Sequence, residues 1–186
     1  MPSDIILIGP LRTGKSTLGS ILAKRTGMQS VSLDELRESY YQEIGYDLEF
    51  AKHIRSTGGF VSLAFYWMLF NAHAVERVLS DHQDCVIDFG AGHSVFESQE
   101  QFVRAQKVLT PYPNVILILP SPDPDESIQI LNERTSDLVG VFGQGFNWNE
   151  YFVNHPSSHK LAKHVVYTKG KTPEETCCEI LRLVGL

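Results

Sequence analysis

Gly9-Pro10-Leu11-Arg12-Thr13-Gly14-Lys15-Ser16 concentrates the clearest chemistry in the chain. The segment has the form G-x-x-x-x-G-K-[ST], in which each defined position has a mechanical role. Gly9 and Gly14 let backbone N–H groups turn inward around an anion with no β-carbon in the way. Lys15 is placed to reach the β- and γ-phosphates of a nucleotide, and the Ser16 hydroxyl to ligate Mg²⁺. A helix opening at Ser16 aims its partial positive charge at the same point. Leu11, Thr13 and Thr17 complete the set of expected nucleotide-contacting positions around the loop. Arg12 either touches phosphate or acceptor, or is an ordinary exposed loop arginine. The expected ligands are ATP and Mg²⁺; the plainer alternative is a structural glycine turn that binds nothing.

A second carboxylate belongs to the same chemistry. Asp88 ends the apolar run Cys85-Val86-Ile87, as a residue holding Mg²⁺ directly or through water would. A strand-end aspartate that only caps a turn is the competing reading.

The elements that must position these groups follow from the pattern of apolar residues. Ile5 to Ile8 reads as a strand buried on both faces and leads directly into the loop. Ser16 to Arg25 carries Leu18, Ile21 and Leu22 at helical spacing and stops at Gly27. Met28 to Leu33 is a weaker strand, after which Asp34 is expected to cap a helix through Ile44. Helices are expected over 47–56 and, beyond Gly58-Gly59, from Phe60 to Leu79. Strands are expected at Cys85–Phe89, Val115–Leu119 and His164–Thr168. Helices should cover Phe96–Leu109, a segment from about Ser121 to Arg134, most of Asn149–Lys163 with a break at Pro156, and Pro173–Val184. Five apolar strands alternating with helices imply a doubly wound, three-layer α/β/α fold with a five-stranded parallel sheet, and with the G-x-x-x-x-G-K-[ST] loop after the first strand the expected fold is that of a P-loop NTPase. Residues 1–186 read as one domain.

Composition narrows the partners. The chain has 186 residues, 42% of them hydrophobic and 20% charged, with a net charge of −6. Lys and Arg are scattered, so the basic face of a nucleic-acid binder is not expected. The apolar run Ile5–Ile8 is far too short for a signal peptide core or a membrane span. Cys85, Cys177 and Cys178 form no C-x-x-C pair and suit a reduced, cytoplasmic protein. Among the seven histidines, no spacing with Cys or Asp suggests a transition-metal site.

From the loop through Asp34, the chain resembles the shikimate kinase branch of the nucleoside-monophosphate-kinase-like P-loop proteins. The resembling stretches are IILIGPLRTGKSTLGSILAKRTGM, VSLDELRE, the FGAG turn, LNERT and HPSSHKLAKHVVYTKGKTPEET. The resemblance implies transfer of a phosphoryl group from ATP to a small acceptor. It implies an acceptor-binding segment over about 34–80 and a lid over about 135–148. Asp34 matches the second aspartate of the D-x-D at the end of strand two, which implies contact with the acceptor hydroxyl and a role as base; Ser32 replaces the first. Gly90, Ala91 and Gly92 stand where the family has three glycines beside the acceptor, and His93 follows them. Arg134 matches the arginine that packs on adenine, and the turn from Lys169 through Lys171 to Pro173 matches the loop on the other side of that base.

The departures concern the acceptor. The family's second lid arginine has no counterpart between Thr135 and Trp148, and Asn154 or His155 replaces a third arginine. The acceptor-binding arginine is lost within Thr57 to Tyr66, with Arg55 as a shifted substitute. Those arginines would hold a carboxylate, so shikimate is not the expected acceptor. Two segments stay open. Phe60 to Phe70 is either a buried aromatic helix or, through Phe65, Tyr66 or Trp67, part of an acceptor pocket. Val139 to Phe146, glycine-hinged and free of cations, is either a moving cover or a plain surface loop.

The expected function is an ATP-dependent kinase acting on a hydroxyl of a small molecule, with Lys15 and Asp34 as catalytic residues, in a monomer or homodimer. A nucleotide-dependent switch or ATPase module is the rival class. Thr168-Lys169-Gly170-Lys171 does not complete the N-K-x-D of a guanine site. A toxin-like kinase of nucleotide sugars is a third possibility.

Overall fold

A computed structural model describes residues 4–142 and 145–186. Its centre is β1 (Ile5–Ile8), whose four side chains are completely buried. Alternate residues of a strand face opposite sides of a sheet, and here both sides are core. Ile6 and Ile8 join one apolar cluster, Ile5 and Leu7 the other.

Along the chain, α1 (Lys15–Thr26) and β2 (Gln29–Ser32) are followed by α2 (Leu33–Gln42), α3 (Leu48–Met68) and α4 (Asn71–Asp81). Then come β3 (Cys85–Asp88), a 3₁₀ turn at Ala91–Ser94, α5 (Gln99–Leu109), β4 (Val115–Leu119) and α6 (Pro124–Arg134). A 3₁₀ turn at Ser136–Leu138 leads into α7 (Val139–Phe142), α8 (Trp148–Asn154) and α9 (Pro156–Leu161). The last elements are β5 (His164–Tyr167) and α10 (Pro173–Val184).

The sheet has five parallel strands in the order β2-β3-β1-β4-β5. Leu18 and Leu22 of α1 pack with Cys177 and Ile180 of α10 on one face. Val75 and Val78 of α4, with Phe102 and Leu109 of α5, belong to the core on the other. This is the expected three-layer α/β/α arrangement. Its consequence for chemistry is positional: the loop after β1, Asp88 of β3 and the start of α2 after β2 all lie at the carboxyl edge of the sheet, where open parallel sheets bind ligands.

Two local expectations need correction. Asp34 does not cap α2. The capping position, with φ −106° and ψ 115°, belongs to Ser32, and Asp34 lies in the first turn. Strand β2 runs into the helix without a loop, so the last strand residue already has the extended backbone a cap requires. The helix expected over Phe60–Leu79 is broken at Leu69-Phe70. Its two halves bury against different partners: Ala64 and Met68 against Trp148, Val75 and Val78 against the sheet core. One straight helix cannot turn its apolar stripe toward both. Upstream, α3 kinks at Gly59, whose φ of 70° and ψ of −168° suit glycine.

Candidate active site

The loop after β1 wraps tightly because a glycine leads it. Gly9 has φ 138°, and a β-carbon there would lie 2.5 Å from the Ile118 carbonyl oxygen of β4. Gly14, at φ 95°, occupies the capping position of α1 and offers no side chain to its first N–H groups. Lys15 is only 7% exposed and donates to the Pro10 carbonyl oxygen at 2.9 Å, folding its ammonium back over the loop. Burial holds its pKa below the ordinary lysine value, against the pull of Asp88 and Asp34. Thr13 donates to the same carbonyl at 3.0 Å.

Ser16 and Asp88 meet across the sheet edge, with Ser16 Oγ donating to Asp88 Oδ2 at 2.5 Å. Asp88 is 8% exposed and its Oδ1 is buried without a partner. Burial raises its pKa; Lys15 and the Ser16 hydrogen bond oppose the rise. A serine hydroxyl beside a carboxylate with an unused oxygen fits Mg²⁺, which is held by one or two protein oxygens plus phosphates. Among the described residues no cluster of three or more His, Cys, Asp or Glu could hold a metal, as a transition-metal cage would require.

On the outer side of the loop, Thr13, Gly14, Thr17, Arg134, Lys171 and Pro173 line one recess of about 270 Å³. These six expected nucleotide positions, from three separate parts of the sequence, are thus brought together. Arg134 also donates to the Arg12 carbonyl oxygen at 3.2 Å. The Arg12 side chain turns outward to an exposed ion pair with Asp137 at 2.9 Å. Leu11 faces the other way, into the second cavity.

That cavity, about 110 Å³, lies against α2 and α3. Its polar end holds Asp34, Arg37, Asn71 and His93 with Ala91 and Gly92; its apolar end holds Phe60, Trp67, Met68, Phe142, Trp148 and Phe152. Gly90 lies behind Asp34, and a β-carbon on it would overlap the Asp34 carboxylate. The structure does not bring Arg55 to the cavity wall. Its guanidinium lies 5.9 Å from the Phe60 ring centre, whereas the wall carries Arg37, 3.5 Å from Asp34 and 4.0 Å from the Trp67 ring centre. Sequence reasoning missed Arg37, although its position one helical turn after Asp34 was a usable signal.

Behind the polar end runs a buried hydrogen-bond chain. Asn71 Nδ2 donates to the Gly92 carbonyl oxygen at 2.8 Å, and Tyr41 Oη contacts both Asn71 Oδ1 and His93 Nε2, the latter at 3.0 Å. His93 is 2% exposed; burial lowers its pKa to about 4, against the pull of Asp34, so its ring is neutral at pH 7. Tyr41 and Asn71 carried no local signal, being brought to His93 only by packing of α2 on α4.

The aromatic segment is divided. Phe60 and Trp67 line the cavity, Tyr66 packs on Tyr46 and Phe70, and Phe65 is exposed beside Phe146. The segment expected as a cover folds over α3, with Phe142 4.8 Å and Trp148 5.7 Å from the Phe60 ring centre. Gly143 and Gln144 of that segment lie outside the described residues.

The five-stranded parallel sheet with helices on both faces is the fold of shikimate kinase-like P-loop α/β proteins. Solved structures with this fold include a shikimate kinase from Acinetobacter baumannii in complex with shikimate, with TM-score 0.67 and 19% identity over 99% of this chain and 93% of that one. A shikimate kinase from Aquifex aeolicus aligns with TM-score 0.60 and 19% identity over 98% and 96% of the two chains. A gluconokinase from Sinorhizobium meliloti aligns with TM-score 0.50 and 14% identity over 99% and 92%. At these identities the likeness is one of fold. No protein-family model and no curated protein matches the sequence. Among the described residues no helix is long and apolar enough to cross a membrane.

Proposed function

We propose that this protein is an ATP-dependent phosphotransferase acting on a hydroxyl of a small acceptor, as a single cytoplasmic domain. The observation that carries this reading is that two recesses share the phosphate loop. One is lined by Thr13, Gly14, Arg134 and Lys171, the other by Leu11, Asp34 and His93, and Lys15 and Asp88 lie close enough to Asp34 to feel its charge.

In this reading Lys15 swings from the Pro10 carbonyl to the β- and γ-phosphates, an exchange helped by the cost of keeping its ammonium buried. Ser16 and Asp88 would hold Mg²⁺, which when bound would neutralise phosphate charge. Asp34 accepts the proton of the attacking hydroxyl, and Arg37 holds that carboxylate in place from one turn along α2. The aromatic cover excludes water that would otherwise take the acceptor's place. Most of the catalysis would be positioning and electrostatics.

The test is incubation of the purified protein with Mg²⁺, ATP and a broad panel of alcohols, sugars and nucleosides, with detection of phosphorylated product. Transfer to a panel compound supports the reading. ATP hydrolysis with no phosphorylated product from any compound rejects it in favour of a nucleotide-hydrolysing module.

A further inference from the structure

The aromatic cover brings no cation to the loop. No Lys or Arg occurs from Thr135 to His159, a stretch that includes α7 and α8. Phosphoryl transfer spreads negative charge over the three outer oxygens of the group in flight, and positioned cations stabilise it. Most cations around the loop are engaged elsewhere. Arg37 is held between Asp34 and the Trp67 ring, and Lys171 is paired with Glu179 at 2.5 Å. Arg134 donates to the Arg12 carbonyl oxygen.

Arg12 differs from these in three respects. It stands between Leu11, which lines the acceptor cavity, and Thr13, which lines the nucleotide recess. Its backbone has φ 57°, in the left-handed region where glycine is the unstrained residue. An arginine kept there costs stability, and strain of this kind gathers at functional sites. Its guanidinium is half exposed and pairs with an exposed carboxylate, Asp137, at 2.9 Å. Pairs of that kind hold weakly and exchange readily. Asp137 lies in the 3₁₀ turn immediately before α7, so the ion pair ties the loop to the foot of the cover.

We propose that Arg12 is a catalytic residue whose guanidinium leaves Asp137 and grips the γ-phosphoryl oxygens of bound ATP, supplying from the loop the charge that the cover lacks. The inference rests on the phosphotransferase reading and adds a residue and an exchange of partners to the same site. A guanidinium suits the task because its planar fork matches two phosphoryl oxygens and its charge does not titrate. In the transfer, the acceptor oxygen forms the new bond to the γ-phosphorus and its proton passes to Asp34. The bond from the γ-phosphorus to the bridging oxygen breaks, and ADP leaves with the electron pair. Arg12 neither gains nor loses a proton. Asp137 acts in the opposite sense: it competes with phosphate for the guanidinium and holds Arg12 aside before nucleotide binds.

The experiment titrates the full chain with Mg²⁺–ATP and with Mg²⁺–ADP by calorimetry, in the parent, Arg12→Gly and Asp137→Ala proteins. ADP lacks the γ-phosphate. Arg12→Gly should therefore weaken ATP by about tenfold to a hundredfold and leave ADP nearly unchanged. It should melt no lower than the parent, because glycine takes φ 57° without strain. Transfer to any acceptor that the parent phosphorylates should fall by about a thousandfold. Asp137→Ala should bind ATP as tightly as the parent or up to about fivefold more tightly. A merely structural ion pair predicts equal losses in the two variants. That result, or parent-like ATP binding and turnover in Arg12→Gly, overturns the inference and leaves the kinase reading standing. If the parent only hydrolyses ATP, the kinase reading falls, and hydrolysis undiminished in Arg12→Gly would overturn the inference as well. Failure of the parent to bind either nucleotide overturns both.

Discussion

The Asp34 carboxylate lies in the space that a β-carbon on Gly90 would occupy. The base candidate on α2 and the turn after β3 are therefore packed so closely that only glycine fits between them. This juxtaposition fixes where the Asp34 carboxylate stands, and neither residue's local sequence dictates it.

Gly90→Ala must push the Asp34 carboxylate aside. Displacement of a catalytic group by about 1 Å costs on the order of a hundredfold, so kcat should fall by about that factor. The recess lined by Thr13, Thr17 and Arg134 lies on the other side of the loop and should keep its nucleotide affinity. Steady-state kinetics beside titration with a fluorescent ATP analogue would read both. An unchanged kcat would remove Asp34 from the chemistry.

Lys15→Met removes the ammonium folded onto the loop at Pro10. A charged hydrogen bond to phosphate is worth about 1.5–3 kcal/mol, which predicts a loss of roughly tenfold to hundredfold in nucleotide affinity. Transfer should be abolished. Full activity in this variant would refute the central reading.

Asp88→Asn separates folding from metal use. Burial already penalises the carboxylate, and an amide oxygen can still accept from Ser16. The protein without ligands should therefore melt no lower than the parent. The additional stabilisation by Mg²⁺ with ATP should disappear, because an amide lacks the charge that holds the ion. Thermal melts with and without Mg²⁺ and ATP check this; a variant that keeps the Mg²⁺-dependent increment would place the metal elsewhere.

His93 links stability to pH. Its pKa is about 4 when folded and near 6.5 when unfolded. The unfolded state binds more protons between these values, so the protein loses stability as pH falls through that window. Full burial of the ring makes the loss about 2 kcal/mol between pH 7 and pH 5. Urea unfolding at the two pH values should show it, and His93→Phe should lack that part of the dependence. An identical pH dependence in both proteins would contradict the buried, neutral ring.

Trp148→Ala should open the cover, since the ring packs on Phe60, Phe146 and Phe152 and is 5% exposed. The expected signature is a raised KM for acceptor and more futile ATP hydrolysis, because water gains access. Unaltered partition between transfer and hydrolysis would make this cluster structural only.

The loop at residues 9–16 was legible as a glycine-led turn between strand and helix from the residues alone, because Gly9 and Gly14 take backbone angles that favour glycine. The parallel sheet was legible for a related reason: strands such as Ile5–Ile8 and Val115–Leu119 are continuously apolar only when both faces are covered. The loop's proximity to Asp88 could be anticipated, since a strand and the residue that ends it move together. The acceptor end could not. Arg37 rather than Arg55 reaches the cavity, Ser32 rather than Asp34 caps α2, and the helix after Gly59 breaks at Leu69-Phe70. Each outcome depends on which element a helix face meets, and burial decides that only after the sheet has formed. The contacts of His93 with Tyr41, 52 residues away, and with Asp34 are of this kind. Local sequence determined the conformation of the loop at residues 9–16, whereas long-range packing decided which side chains line the second cavity.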